Sequence, residues 1–90
     1  MNVRWHVYFS GRVQGVGFRY TCVQQARHHP VTGWVKNLDN GSVEMIVEGQ
    51  PSELEAYLQS VSEATHGSVA DMQTIKSAAT GEFSAMSVVH

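Results

Sequence analysis

Ninety residues, 42% of them hydrophobic and 16% charged, without repeats or low-complexity tracts, describe one globular domain (residues 1–90) with a modest core and exclude a disordered chain. A formal net charge of only -2 offers no electrostatic footprint for nucleic acid or an anionic membrane, so neither is expected as a partner. The lone Cys22 excludes an internal disulfide, and no basic stretch leading into an apolar run follows Met1, which together predict a reduced, cytoplasmic setting.

In chain order, Val3, Trp5, Val7 and Phe9 alternate with Arg4, His6, Tyr8 and Ser10, the period of a half-buried strand. The glycine-rich segment "GRVQGVGFR", residues 11–19, comes next. From Phe18 the spacing becomes helical, with Phe18, Cys22 and Ala26 on one face and Pro30 closing the segment. "TGWVKNL", residues 32–38, and "SVEMIVE", residues 42–48, read as two strands joined through Asp39, Asn40 and Gly41, because Asn-Gly between alternating segments marks a hairpin. "PSELEAYLQSV", residues 51–61, reads as a second helix with the apolar stripe Leu54, Leu58 and Val61 and with Tyr57 beside it. That helix starts either with a capping box of Ser52 and Glu55 or with Gln50 as the cap and Pro51 in the first helical position. After a loop around His66 and Gly67, weaker strands are expected over about Val69–Lys76 and Phe83–Val89, both with poor alternation. The order strand, helix, strand, strand, helix, strand predicts an α+β fold: two helices on one face of an antiparallel sheet of about four or five strands, the split βαβ arrangement.

The glycine-rich segment joins a strand to the start of a helix, where unpaired N–H groups and the positive end of the helix dipole favour an anion. Gly11, Gly15 and Gly17 allow positive φ and close approach of several amides. Arg19, in or beside the first helical turn, can fork onto two oxygens of the same anion, so a phosphate or carboxylate is the natural guest. The dinucleotide pattern GxGxxG fails at Tyr20, and the Gly-Lys-Ser/Thr of a P-loop is absent. A tight connection carrying a surface arginine is the competing reading.

"GRVQGVGFR" followed by "GWVKNLDNGSVE", residues 33–44, resembles the paired signature of the acylphosphatase family, and the order of elements fits that family along essentially the whole chain. The resemblance implies a ferredoxin-like α/β sandwich that hydrolyses acyl phosphates to a carboxylate and inorganic phosphate. It also implies a phosphate-binding loop at Val13, Gln14, Gly15, Val16, Gly17 and Phe18, a substrate-binding arginine at Arg19 and a water-orienting asparagine at Asn37. No cofactor is implied. The expected partners are a small acyl phosphate and its product phosphate, and the expected state is a monomer.

No close grouping of Cys, His and carboxylates has metal-ligand spacing, and no Ser-His-Asp or Cys-His set suggests itself, so neither a metal nor a covalent nucleophile is expected. An acyl phosphate does not require them: its carboxylate leaving group, with a pKa of about 4, departs without protonation. Positioning and charge stabilisation then carry a loose phosphoryl transfer. His28 and His29 are read as local capping near a helix end, Trp5 and Trp34 as core or sheet-face packing, Cys22 as a small buried apolar residue, and Arg12 and Lys36 as solvated. Two other readings compete: a noncatalytic ferredoxin-like module that holds a phosphorylated metabolite or protein partner through the same loop, and, more weakly, an RNA-binding sheet. The slightly acidic charge and the lack of an aromatic-rich RNP-like strand disfavour the second.

Overall fold

The structure is a computed structural model describing residues 1–90. Its elements are β1 (Val3–Arg12), α1 (Phe18–Ala26), β2 (Thr32–Asn37), β3 (Val43–Gly49), α2 (Pro51–Ala64), β4 (Ser68–Ala78) and β5 (Met86–Val88). The five strands form one sheet in the order β4-β1-β3-β2-β5. Period-2 patterning in β1 becomes one buried row, Trp5, Val7 and Phe9, opposite Val47, Met45 and Val43 of β3. Phe18 and Cys22 of α1 and Leu54, Tyr57, Leu58 and Val61 of α2 close over that row as a single cluster of 16 buried residues. This is the expected ferredoxin-like sandwich, with both helices on one face of the sheet.

Local chemistry explains most element boundaries. Pro51 occupies the first position of α2, where its missing N–H costs nothing, and Gln50 is the cap without a side-chain bond, so no Ser52–Glu55 capping box forms. The β2–β3 turn closes through Leu38 N–H to Ser42 O at 2.9 Å, with Gly41 at φ 91° and Asn40 Oδ1 accepting from Ser42 N–H at 3.0 Å. Tyr57, placed beside the stripe by sequence, is fully buried, and its hydroxyl donates to Cys22 O at 2.7 Å, tying α2 to α1. None of the helices is long and apolar enough to cross a membrane.

Two expectations need correction. The sheet is not wholly antiparallel: β5 pairs with β2 in parallel, Gly33 with Met86 and Val35 with Val88. The chain does reverse after β4, as a hairpin would. It lands at the opposite edge of the sheet, however, where β2 already runs in that reversed direction. His29, read as a helix cap, instead reaches α2: its Nε2 lies 3.2 Å from Ser60 Oγ and its ring meets Tyr57 edge-on at 6.0 Å, while α1 has already ended at Ala26.

The crossing segment between β4 and β5 is held by a buried acid that sequence alone did not single out. Glu48, only 3% exposed, accepts from the Thr80 and Gly81 amides at 2.9 Å each and from Arg4 Nε at 2.8 Å. Burial pushes its carboxyl upward, but those amides, the Arg4 guanidinium and the Thr80 hydroxyl outweigh it and hold the pKa down at about 2.

Candidate active site

The strand that feeds the loop runs further than its alternation suggests. A register shift between Ser10 and Gly11 lets β1 continue through Arg12, where Gly11 pairs with Val69 of β4. Beyond it, Val13 is buried and anchors the loop. Gly15 and Gly17 stand at φ 75° and 74°, and a Cβ at either would meet nothing within 4 Å, so the backbone conformation rather than lack of room calls for glycine.

Gly17 is the N-cap of α1. No side chain caps this end, and the first turn contains no acidic residue, so the leading amides and the positive end of the dipole have no partner from the protein's own side chains. Arg19 adds a cation in that same turn. For the helix alone this is unfavourable; with a bound anion it becomes favourable.

Asn37 is the last residue of β2, paired with Val43 just before the chain turns. Its Oδ1 is buried without a hydrogen-bond partner. That oxygen is closed to solvent, so it is an unmet acceptor of the fold and not a surface open to water.

Gln14 connects the two halves. Its Nε2 donates to Leu38 O at 2.8 Å and to Ser42 O at 2.9 Å, stitching the loop to the hairpin immediately after Asn37. Both side-chain protons are therefore engaged, which leaves the Gln14 backbone N–H as its only donor for an anion.

One cavity of about 430 Å³ gathers these groups: Val13, Gln14, Gly15, Gly17 and Phe18 border it together with Arg19 and Asn37. Val16 is the loop residue that does not. Its half-buried side chain packs against the core beside Gly67 and lines a separate depression toward His66. No Asp or Glu side chain lines the cavity, and Arg19 does, so its side chains favour an anion. Nowhere do three His, Cys, Asp or Glu side chains come together in a metal-binding arrangement. Cys22 of α1 is fully buried, with its thiol pushed by burial up to about 12, far from any nucleophilic state at neutral pH.

Tyr20, Val23, Val88 and His90 complete the cavity wall and were not singled out from sequence. Tyr20 adjoins Arg19 in the chain and could have been suspected on that ground. Val88 and His90 carry no such signal, because only the parallel pairing of β5 with β2 brings the C-terminal segment to this end of the sheet.

A cation and a carboxamide thus border one cavity at the N-terminus of the first helix of a ferredoxin-like sandwich, an arrangement chemically able to take an anion. Comparisons with known proteins show the family of the whole chain. The family model described as acylphosphatase matches residues 5–87. An acylphosphatase of Synechococcus sp. (strain JA-2-3B'a(2-13)) is 48% identical over 69 residues, covering 77% of this chain and 73% of that protein. One from Marinobacter nauticus is 44% identical over 68 residues, covering 76% and 74%. The crystal structure of acylphosphatase from Bacillus subtilis superposes with a TM-score of 0.90 at 32% identity, covering 98% of this chain and 99% of that one. The chain belongs to the acylphosphatase family, and with it to the hydrolases that act on acyl phosphates.

Proposed function

We propose that the cavity binds the phosphoryl group of an acyl phosphate against the amides of Val13, Gln14, Gly15, Val16, Gly17 and Phe18 and the guanidinium of Arg19, while Asn37 orients the attacking water. The observation that carries this reading is that Arg19 and Asn37, from separate elements, border one cavity. A water held by the Asn37 carboxamide keeps a lone pair free to point at phosphorus.

The reaction then balances without a further group. The water oxygen forms a bond to phosphorus as the bond from phosphorus to the acyl oxygen breaks, and the electron pair leaves on the carboxylate. With a pKa of about 4, that carboxylate needs no proton at neutral pH. The water's proton passes to a phosphate oxygen, giving inorganic phosphate. Loop amides and Arg19 stabilise the charge spread over the phosphoryl oxygens, which is the main catalytic contribution open to a loose transition state. In this reading residues 1–90 act as one domain and as a cytoplasmic monomer.

Hydrolysis in water enriched in heavy oxygen tests the bond assignment. Label is expected in phosphate and none in the carboxylate. Label in the carboxylate would mean attack at the acyl carbon and would remove Asn37 from the role given to it.

A further inference from the structure

The two edges of the sheet are unlike. β5 is three residues long, whereas β4 runs for eleven, without Pro or Gly, and from Asp71 to Ala78 it keeps an unbroken register with β1. None of the backbone hydrogen bonds outside the helices and strands involves residues 68–78, so the outward donors and acceptors of this edge strand have no partner within the chain. Apolar side chains flank the edge on both faces of the sheet. Met72, in register with Phe9, is 41% exposed on the helix face, and Ile75, in register with His6, is 61% exposed on the open face. Beside the edge lies a groove of about 460 Å³ between β4 and α2, lined by the buried Trp5 and Leu58 and by Met72, Thr74 and Lys76. A lysine on an edge strand commonly blocks the addition of another strand. Here the Lys76 ammonium lies 4.9 Å from the centre of the Trp5 ring, folded back over the sheet, and leaves the edge open.

We propose that β4 docks an extended segment of a partner protein, which adds antiparallel to the edge as a further strand, with apolar side chains covering Met72 and Ile75 and a basic residue facing Asp71. Main-chain hydrogen bonds supply the affinity, and the side chains on the two faces set the register. Asp71 selects the charge of the partner: it is exposed and takes part in no ion pair, so it calls for a cation directly opposite. A second copy of this chain does not supply one. In a two-fold antiparallel pairing, side chains that face each other share one face of the sheet. The single cation of β4, Lys76, stands on the helix face in register with Trp5, whereas Asp71 stands on the open face in register with Ser10. β1 and β3 separate β4 from β2, which carries Asn37, so a docked segment leaves the cavity at Asn37 open.

A synthetic peptide, Thr-Thr-Val-Val-Thr-Leu-Lys, tests the edge, because antiparallel pairing sets its valines opposite Ile75 and Thr74, its leucine opposite Met72 and its lysine opposite Asp71. Titrated into isotope-labelled protein, it is expected to shift the amide resonances of residues 68–78 and the Trp5 indole, while those of residues 13–18 stay in place. Replacing the peptide's lysine by glutamate should weaken binding about fivefold, since an opposite-charge pair gives way to a like-charge one. Asp71→Lys should reverse the preference between the two peptides and leave acyl phosphate hydrolysis unchanged. Should that variant not fold, the preference of the native protein still decides. No binding of either peptide, equal binding of both, or shifts confined to other elements overturns the proposal. Resonances of β4 that move on dilution of the protein alone would assign the edge to a second copy of the chain and overturn it as well.

Discussion

At the scale of single residues, Arg19 and Asn37 face one cavity but differ in what they can offer. A guanidinium forks onto phosphoryl oxygens in ground and transition states alike, so Arg19→Gln should weaken competition by inorganic phosphate on the order of tenfold or more, from charge-assisted bonds worth about 1.5 to 3 kcal/mol each, and should lower turnover as well. Asn37 has a different signature. If its carboxamide holds water and touches the phosphoryl group little, Asn37→Ala should lower kcat by about 100-fold while phosphate competes within roughly threefold of the native concentration. Initial rates over a series of phosphate concentrations measure both quantities. A loss of phosphate binding in Asn37→Ala would make the residue a ligand clamp.

At the scale of elements, the site is an agreement between two segments that are distant in sequence. The loop between β1 and α1 presents amides, and the end of β2 presents Asn37; the Gln14 side chain, bonded to Leu38 O and Ser42 O, sets their separation. Those two carbonyls keep backbone partners of their own, from Gly41 N–H and Leu38 N–H, so removing the amide does not strand them. Gln14→Ala should therefore cost only about 1 to 2 kcal/mol in urea unfolding. Its effect on kcat should be larger, about tenfold, because water and phosphorus lose their fixed relation, while phosphate affinity changes less than threefold. A fall in affinity as large as the fall in kcat would place the Gln14 side chain on the ligand itself.

At the scale of the whole molecule, the crossing from β4 to β5 depends on Glu48, and β5 in turn supplies a wall of the site. The carboxyl titrates at about 2 in the folded chain against an ordinary value of 4.5, a depressed pKa. Its ionised form thus contributes stability that is fully present above about pH 4.5 and is lost as pH falls from there toward 2. Glu48→Gln should destabilise the protein by roughly 2 to 4 kcal/mol at pH 7, since Arg4 and two amides lose a charged acceptor. Urea unfolding at pH 7 and pH 3 should show the gap between native and variant narrowing at the lower pH. An unchanged gap would assign the cost to packing instead of charge.

The amino-acid sequence by itself determined the features whose causes lie within a few residues of each other: the β1 alternation, the Asn40-Gly41 turn, the apolar stripe of α2 and the glycine loop ahead of a helix. Turn geometry and side-chain period are local, so residues 11–19 already offered Arg19 as an anion partner, whereas Asn37 entered only through the resemblance of residues 33–44 to the acylphosphatase signature. Only the tertiary structure decided what depends on contacts between distant segments. β5 has three residues, and its direction follows from the strand it meets at the far edge, which periodicity in Phe83–Val89 cannot express. Glu48 reads in sequence as one more polar position of a strand, yet it is buried because Thr80 and Gly81 cross over it. Val16 belongs to the same loop as Gly15 and Gly17, but its side chain turns to the core, since apolar burial outweighs membership of a motif. Tyr20, Val23 and Val88 become one wall only when α1 and β5 are packed side by side, a proximity created by folding the two ends of the chain onto β2.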